Sequence, residues 1–295
     1  MGAEEPFNVQ IQDIVREVFH RDLDETLIRP LKKGMTNDSF YLEVDGKSYV
    51  LRKNGIGTEE LIDRQGEAAA YQTIAPFQIA EPLVAICPQK GYKVSEFLQN
   101  VHTCRAKDIS DVRACMQKLR RLHSWSLPYR KPFDILQQIA FYEHLWKQTS
   151  RHEDYAEVKD AIFHLTPLHQ LLERPLCLCH IDAVPDNFLL SEDGRVYLID
   201  WEYAAGCDPL MDPAMFSIYA GYSKEQSVHL LNVYLGRRAT QEERFRYASY
   251  MAAGGLLWSN WCEYKEDLGE TFGPYAAMQY GYANDCAAWA KEWEA

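Results

Sequence analysis

The segment that decides the fold is LCLCHIDAVPDNFLLSEDGRVYLIDWEY, residues 176–203 of a chain of 295 residues. Polar side chains stand singly between its apolar runs, at His180, Asp182, Asn187 and Asp200. Each has an ordinary structural explanation, since a buried histidine is usually hydrogen-bonded in the core and an aspartate often caps a turn. Together they are candidates for a site, because isolated polar groups among apolar residues need partners or ligands.

A β-hairpin is predicted between the apolar runs 188–190 and 196–199, which flank the turn dipeptide Asp-Gly at 193–194. A two-residue turn centred there places Asn187 opposite Asp200, with Cβ atoms about 5 Å apart by cross-strand geometry. An amide oxygen and a carboxylate oxygen suit Mg²⁺, which fills its other positions with phosphate and water. The sequence therefore predicts that these two residues hold a magnesium ion.

An earlier hairpin is predicted where the strand segments SFYLEV and KSYVLRK flank the Asp-Gly dipeptide at 45–46. Its register places Arg52 opposite Ser39, beside the loop at 34–38. A cation is thus expected next to a loop that contains glycine.

Composition and charge exclude several classes of protein. The chain is 47% hydrophobic and 25% charged, which is typical of globular proteins. Its 31 Lys and Arg against 43 Asp and Glu give a net charge of −12, which disfavours nucleic-acid and anionic membrane partners. No run approaches the roughly 18 apolar residues of a membrane span. With no signal peptide and no CxxC among eight cysteines, a cytoplasmic protein with reduced thiols is expected.

The chain changes from β-containing to mainly helical near residue 98, which predicts an N-terminal part over 1–98 and a C-terminal part over 99–295. An amphipathic helix opens the chain, and its expected role is packing. Thr58 is predicted to cap the next helix, which carries Glu67 and runs to about residue 75. Later helices are expected over 109–123, 135–147 and 157–172.

The spacing H-x-D-x-x-x-x-N at 180–187, followed by an aspartate after the hairpin, is the pattern in which kinases place a base and metal ligands. The segments HIDAVPDN and LIDWEY, with GMTNDSFYLEV and YVLRKNGIGTEELIDRQGEAAAY, resemble the choline/aminoglycoside kinase family, especially its bacterial choline kinases. The resemblance extends from about residue 31 to about residue 285. It implies a protein-kinase-like, two-lobed α+β fold with a small β-containing N-lobe, a mainly α-helical C-lobe, and ATP in the cleft.

The resemblance also implies a role for each matching residue. Asp182 would be the catalytic base, and Asn187 and Asp200 would hold Mg²⁺. Arg52 would contact the ATP phosphates and be held by Glu67; its planar fork can bind two phosphate oxygens at once. The remaining nucleotide contacts would come from the loop residues Gly34, Thr36 and Asn37, and from Glu96 in the connector at 95–97.

The alcohol that would accept the phosphoryl group is suggested by Trp258 and Trp261. These residues lie on one face of a predicted helix. Such a stripe usually belongs to the core, but in choline kinases a similar W-x-x-W encloses the trimethylammonium group. The resemblance therefore implies choline, held by cation–π contacts. Tyr219 stands where the family has a glutamate near the choline nitrogen, and Tyr222 is expected to join it as an aromatic wall. Glu202 is expected either near the metal and substrate or as an ion-paired hairpin carboxylate.

Other functions stay open at this point. Without the family glutamate, the acceptor could be ethanolamine, thiamine or an aminoglycoside, although a primary amine needs hydrogen-bond acceptors that an aromatic cage lacks. An inactive relative that binds nucleotide or an amine is the non-enzyme alternative, and the intact Asp182, Asn187 and Asp200 argue against it. The oligomeric state and the choice between ATP and GTP are left open. The expected partner is a small cationic alcohol, with no nucleic acid and no membrane.

Overall fold

The computed structural model describes residues 7–33, 37–55, 58 and 61–294. An antiparallel sheet lies in the first third of the chain and helices dominate the rest, which confirms the predicted α+β class. In chain order the α-helices and β-strands are α1 (Phe7–Phe19), β1 (Ile28–Lys33), β2 (Asn37–Val44), β3 (Lys47–Asn54), α2 (Arg64–Ile74), β4 (Leu83–Cys87), β5 (Tyr92–Glu96), β6 (Val101–Thr103), α3 (Ile109–Ser124), α4 (Ile135–His144), α5 (Tyr155–Phe163), α6 (Thr166–His169), β7 (Cys177–Cys179), β8 (Phe188–Ser191), β9 (Val196–Leu198), β10 (Ala205–Cys207), α7 (Met211–Ala220), α8 (Lys224–Leu235), α9 (Gln241–Asp267) and α10 (Pro274–Trp293).

The first five strands form one antiparallel sheet in the order β1-β2-β3-β5-β4. The turn between β2 and β3 uses Asp45 and Gly46 with positive φ angles of 52° and 70°. Two successive residues with positive φ angles form the turn type whose twist matches that of the two strands in a two-residue hairpin. Ser39 faces Arg52 in the resulting register, so the predicted position of this arginine is confirmed. Arg52 therefore lies on a central strand, with β2 on one side and β5 on the other.

The opening helix packs against this sheet. Ile11, Ile14 and Val15 are buried in one apolar cluster with sheet residues that include Leu42 and Leu51. Burying one such side chain contributes about 1.5–3 kcal/mol to folding. The amphipathic pattern of α1 is thus explained by packing, as predicted.

The helix that carries Glu67 begins later than predicted. Asp63 is the N-cap of α2, and its carboxylate accepts a hydrogen bond from the backbone N–H of Gly66 at 2.9 Å. Thr58 donates its hydroxyl to the carbonyl oxygen of Gly55 at 2.8 Å and belongs to a separate turn. The prediction that Thr58 caps this helix is therefore wrong. Asp63 satisfies an orphan N–H of the first turn, which a residue further upstream cannot reach.

The chain forms two compact units, and the first is not continuous in sequence. The N-terminal unit comprises the residues up to Val101 together with 191–203, and the C-terminal unit comprises 102–190 and 204–295. This differs from a single boundary at residue 98. The segment 191–203 belongs to the N-terminal unit because the N–H of Leu198 donates to the carbonyl oxygen of Ile79 at 2.8 Å, and because acidic residues after β9 pair with arginines of that unit.

The turn after β8 has one residue more than predicted. The N–H of Ser191 donates to the carbonyl oxygen of Arg195 at 2.9 Å, and the N–H of Gly194 donates to that of Ser191 at 3.0 Å. Only Gly194 has a positive φ angle here, of 83°, which is typical of a three-residue loop that ends in a glycine bulge. The predicted two-residue turn is therefore wrong, and the register on which Asn187 faces Asp200 does not follow from it.

The C-terminal unit is built around the long helix α9, which packs against α4, α7 and α10. The helix expected over 157–172 is divided into α5, α6 and a single 3-10 turn, Leu171–Glu173. Pro167 explains the break, because proline has no N–H and clashes with a preceding helical turn, so it is tolerated only near a helix start. No helix among the described residues is long and apolar enough to cross a membrane.

The cysteines are free thiols, and all except the half-buried Cys87 are buried in the C-terminal unit. Cys177 and Cys179 lie on β7 with their sulfur atoms 3.7 Å apart, as expected for one face of a strand. This strand pairs with β10, where Cys207 faces Cys177. Burial raises the pKa of the Cys179 and Cys207 thiols well above the usual range, so both remain protonated.

Gly255 lies where α9 and α10 are in closest contact. A Cβ atom there would come within 2.6 Å of the carbonyl oxygen of Gln279 and 2.7 Å of the backbone nitrogen of Ala283. Backbone atoms cannot rotate away, so we expect Gly255→Ala to lower the free energy of unfolding by about 1–3 kcal/mol. Gly281→Ala is the matched control, because a Cβ on this exposed part of α10 meets open space and alanine favours a helix. Urea unfolding measures both variants, and equal losses would contradict the packing argument.

Candidate active site

The loop that carries Asp182 is fixed by a buried carboxylate on α7. Asp212 accepts hydrogen bonds from the backbone N–H groups of His180 at 2.9 Å and Ile181 at 2.8 Å. His123 approaches the same carboxylate with its Nε2 at 2.9 Å. Burial alone would raise the pKa of Asp212, but the hydrogen bond and charge of His123 outweigh it and lower this pKa. Ile181 has a φ angle of 68°, which is a strained conformation for a branched residue, and the two hydrogen bonds to Asp212 hold it there.

Asp182 and Asn187 lie together at the end of this loop. The Asn187 amide donates from Nδ2 to the backbone carbonyl of Asp182 at 2.9 Å and to its carboxylate Oδ2 at 3.0 Å. Because both partners are acceptors, the NH₂ group must face Asp182 and the amide oxygen must face the other way. The side chain of Asp182 remains partly exposed to solvent. Asn187 thus orients the carboxylate of Asp182, and its own amide oxygen faces away from Asp182.

Arg52 lies at the centre of a buried ionic cluster in the N-terminal unit. Its guanidinium contacts the carboxylates of Glu67 and Asp200, and it lies 3.8 Å from that of Glu202. Burial alone would lower the pKa of Arg52, but these carboxylates outweigh it and hold the pKa well above its usual value. The predicted pairing of Arg52 with Glu67 is therefore present.

Asp200 lies two residues after the end of β9 and has a φ angle of 68°, which few residues other than glycine adopt. About a third of its side chain is exposed, against a few per cent for its partner Arg52. Strained backbone at a partly exposed carboxylate is typical of functional sites.

Glu202 is buried among donors of the N-terminal unit. It accepts hydrogen bonds from the Asn37 amide at 2.8 Å and from Arg64 at 2.9 Å. Burial raises the pKa of Glu202, and the nearby negative charge of Asp200 adds to the effect. The ion-paired alternative given for Glu202 is thus present, while its contact with a metal or substrate remains a prediction.

The other predicted nucleotide contacts differ in whether the structure describes them and in how exposed they are. Gly34 and Thr36 lie outside the described residues. Asn37 begins β2 and is buried, whereas Glu96 ends β5 with its side chain exposed. The N–H of Glu96 donates to the carbonyl oxygen of Pro82 at 2.9 Å, which fixes the backbone where the connector begins.

Tyr219 contacts the loop that carries Asp182. Its hydroxyl donates to the carboxylate of Asp186 at 3.1 Å, and its ring packs edge-on against Tyr275, with centroids 5.7 Å apart. Burial raises the pKa of the Tyr219 phenol above its usual value, and the charges of Asp186 and Asp182 raise it further. Burial is also the main cause that raises the pKa of Tyr275 well above its usual value, and the negative charge of Asp182 adds to it. Both tyrosines therefore remain neutral, and Tyr219 contacts the loop that carries Asp182.

Tyr222 does not join this group in the way predicted. Its hydroxyl donates to the carbonyl oxygen of Ala106, and its ring packs near Phe216. The reason lies in Gly221, whose φ angle of 71° ends α7 between the two tyrosines. The helical spacing that would place Tyr222 beside Tyr219 is therefore lost, and a contact of Tyr222 with the substrate stays a prediction.

Trp258 and Trp261 lie on α9 as predicted, and both are buried. Their rings are perpendicular, with centroids 6.2 Å apart. The Trp261 ring also packs against Phe272 at 5.2 Å and lies 5.9 Å from the ammonium of Lys265. Both tryptophans thus belong to a buried aromatic cluster on α9, and their contact with the acceptor stays a prediction.

Sequence reasoning missed Tyr275 and Asp186. Tyr275 follows the proline of FGPY at the start of α10, and nothing local distinguishes it from other tyrosines of the chain. Asp186 lies inside the H-x-D-x-x-x-x-N motif, but at one of its unspecified positions. A hydrophilic residue in a short loop is normally solvated, so only the contact with Tyr219 distinguishes it.

A braced loop with an oriented aspartate in the C-terminal unit, and a buried arginine–glutamate pair in the N-terminal unit, are the features expected of a phosphotransferase with a kinase-like fold. The model of the phosphotransferase enzyme family APH matches residues 27–250. The chain belongs to this family, and it is a phosphotransferase.

Individual relatives agree with this assignment. Protein LicA of Haemophilus influenzae is 29% identical over 276 residues, which cover 88% of this chain and 80% of that protein. The crystal structure of choline kinase LicA from Streptococcus pneumoniae has a TM-score of 0.79 at 28% identity, and the match covers 94% of this chain and 99% of that one. A crystal structure of LicA in complex with AMP has a TM-score of 0.78 at 27% identity, covering 97% and 99% of the two chains. The predicted family and fold are thereby confirmed.

Proposed function

We propose that the protein transfers a phosphoryl group from ATP to the hydroxyl of choline, with magnesium. The observation that carries the proposal is the position of Tyr275. Its ring packs against that of Tyr219, whose hydroxyl donates to Asp186 on the loop that carries Asp182. Two aromatic side chains thereby adjoin the loop of the residue expected to act as the base, and the paired tryptophans lie in the same unit. This supports an aromatic pocket beside the reacting hydroxyl.

Choline suits such a pocket because its quaternary ammonium carries no N–H to donate. It must be held by aromatic faces and by charge, and each desolvated cation–π contact contributes up to about 2 kcal/mol. Trp258, Tyr219 and Tyr275 offer such faces in the unit that holds Asp182. The relatives described as LicA include one named a choline kinase, which supports the same acceptor.

ATP is supported by the AMP complex of a LicA relative and by the arginine–glutamate pair on β3 and α2. Arg52 is the group that we assign to the phosphates, with Glu67 orienting it. Asn37 and Glu96 are the further nucleotide contacts that we propose among the described residues. Glutamate-held cations of this kind position phosphates in kinases generally.

The donor set fits magnesium. Asn187 turns its amide oxygen away from Asp182, and Asp200 presents a partly exposed carboxylate; both are hard oxygen donors. We propose that these two residues hold the ion. Magnesium bound there would neutralise charge on the ATP phosphates.

Asp182 has the central chemical role in this proposal. Its carboxylate accepts the proton of the choline hydroxyl, or orients it, as the oxygen attacks phosphorus. The hydrogen bond from Asn187 fixes which carboxylate oxygen faces the acceptor. No covalent enzyme intermediate is required.

The proposal is tested by measuring ATP consumption with magnesium against choline, ethanolamine, thiamine and an aminoglycoside. We expect turnover with choline and formation of phosphocholine. Preferential use of ethanolamine, thiamine or the aminoglycoside would replace choline as the acceptor while the phosphotransferase assignment stands.

Trp258→Ala tests the aromatic contact directly. We expect the KM for choline to rise about thirtyfold, because about 2 kcal/mol of cation–π stabilisation is lost. The KM for ATP should change little, which serves as an internal control. Trp258→Phe, which keeps an aromatic face, should show a smaller rise. A lowered melting temperature with an unchanged choline KM would instead mean that Trp258 is only a core residue.

A further inference from the structure

Asp186 is a second carboxylate on the loop that carries Asp182. It lies in the single turn Pro185–Asn187, where Pro185 is buried and the side chain of Asp186 is exposed. The backbone of this turn is held by two hydrogen bonds, from Val184 N–H to the Asp182 carbonyl at 2.8 Å and from Asn187 N–H to the Val184 carbonyl at 3.0 Å. The position of the Asp186 carboxylate is therefore set by the same turn that positions Asp182 and Asn187.

The partner of Asp186 is on α7. Tyr219 donates its hydroxyl to the Asp186 carboxylate at 3.1 Å. Asp212, which holds the start of the loop, lies seven residues earlier on the same helix, and this spacing puts both side chains on one helical face. Helix α7 thus holds the catalytic loop at two points, with Asp212 at its beginning and Tyr219 near its end.

The pair combines a negative charge with an aromatic ring. A phenol that donates to a carboxylate is more electron-rich at its ring face, because the hydrogen bond polarises the hydroxyl. Tyr275 packs edge-on against this ring, so a second aromatic side chain adjoins the first. An alcohol whose hydroxyl reaches Asp182 would bring a neighbouring cationic group toward this cluster. A ring with a carboxylate behind it attracts a cation without needing an N–H from it.

We infer that Asp186 and Tyr219 act as one element that recognises the positive charge of the acceptor, with Tyr219 as the aromatic face and Asp186 as the charge behind it. This inference rests on the proposed function, since it assigns the residues that make the phosphotransferase select a cationic alcohol over a neutral one. Asp186 is a specificity-determining residue here and takes no part in the proton transfer.

The test compares choline with 3,3-dimethylbutan-1-ol, which has the same shape with carbon in place of the charged nitrogen. For Asp186→Asn and for Tyr219→Phe we expect kcat/KM for choline to fall about tenfold, while kcat/KM for the neutral alcohol stays unchanged. The double variant should lose little more than either single variant, because the two residues act through one hydrogen bond. Both substitutions keep the shape of the side chain, and melting temperatures check that the variants are folded.

Glu225→Gln is the matched control. Glu225 is an exposed carboxylate of the C-terminal unit on α8, so its loss removes the same charge away from the loop. This variant should keep the wild-type preference for choline. If the wild type prefers choline but Asp186→Asn and Tyr219→Phe both keep that preference, the inference is overturned and the proposed function stands. If the wild type has the same kcat/KM for the neutral alcohol as for choline, the inference falls while the phosphotransferase assignment stands. If the wild type uses neither alcohol, the inference and the proposed function fall together.

Discussion

Asp182→Asn is expected to lower kcat for choline phosphorylation by about a thousandfold, with the KM values and the melting temperature close to wild type. Removing a positioned general base costs about 10²–10⁴ in rate, and asparagine cannot accept the hydroxyl proton. The fold should be preserved because the side chain is partly exposed and the loop is held by Asp212 through backbone N–H groups rather than through Asp182. Steady-state kinetics with choline and ATP measure the change.

A matched control separates loss of the base from loss of one negative charge. Asp160 is an exposed aspartate on α5 in the same unit, and Asp160→Asn should leave kcat unchanged. A kcat for Asp182→Asn within threefold of the wild type would show that this residue is not the base. Transfer would then depend on positioning and charge alone.

Arg52→Met should be the most destabilising of the substitutions considered. It removes the cation that faces the carboxylates of Glu67, Asp200 and Glu202. These three carboxylates, in a mostly buried cluster, then lose a positively charged partner. Breaking a buried ion pair by removing one partner costs about 3–5 kcal/mol, because the remaining charge is left uncompensated. Urea unfolding followed by circular dichroism measures the loss.

Two further variants serve as controls for the stability loss of Arg52→Met. Arg16→Met removes an exposed arginine that also pairs with two carboxylates, and it should change stability little because water and salt screen such pairs. Arg52→Lys keeps the charge but loses the planar fork, so it should restore much of the stability while raising the KM for ATP. Equal stability of Arg52→Met and Arg16→Met would mean that the buried cluster does not depend on the arginine.

The two Asp-Gly dipeptides show how far local sequence determines the fold. At 45–46 both residues take positive φ angles and the predicted register is correct. At 193–194 only the glycine does so, and the carboxylate of Asp193 accepts from the N–H of Arg195 at 3.2 Å, which favours a longer turn. The dipeptide alone does not distinguish these turns, because the choice depends on side-chain hydrogen bonds around it.

The candidate site was predictable where chemistry limits the residue type. The sequence predicts Asp182, Asn187 and Arg52 because a base, an oxygen ligand and a phosphate-binding cation must be residues of these kinds. It does not predict Tyr275 and Asp186, because the contacts of Tyr219 with each of them arise from the packing of α7 rather than from any local pattern.

The distribution of cysteines gives the molecule built-in reporters of unfolding. Cys87, which is half-buried, is the single thiol of the N-terminal unit, and the seven thiols of the C-terminal unit are all buried. A maleimide reagent should therefore modify Cys87 first in the native protein. Reaction at the other seven requires the C-terminal unit to open, so mass spectrometry of labelled protein would follow the opening of that unit without an engineered probe.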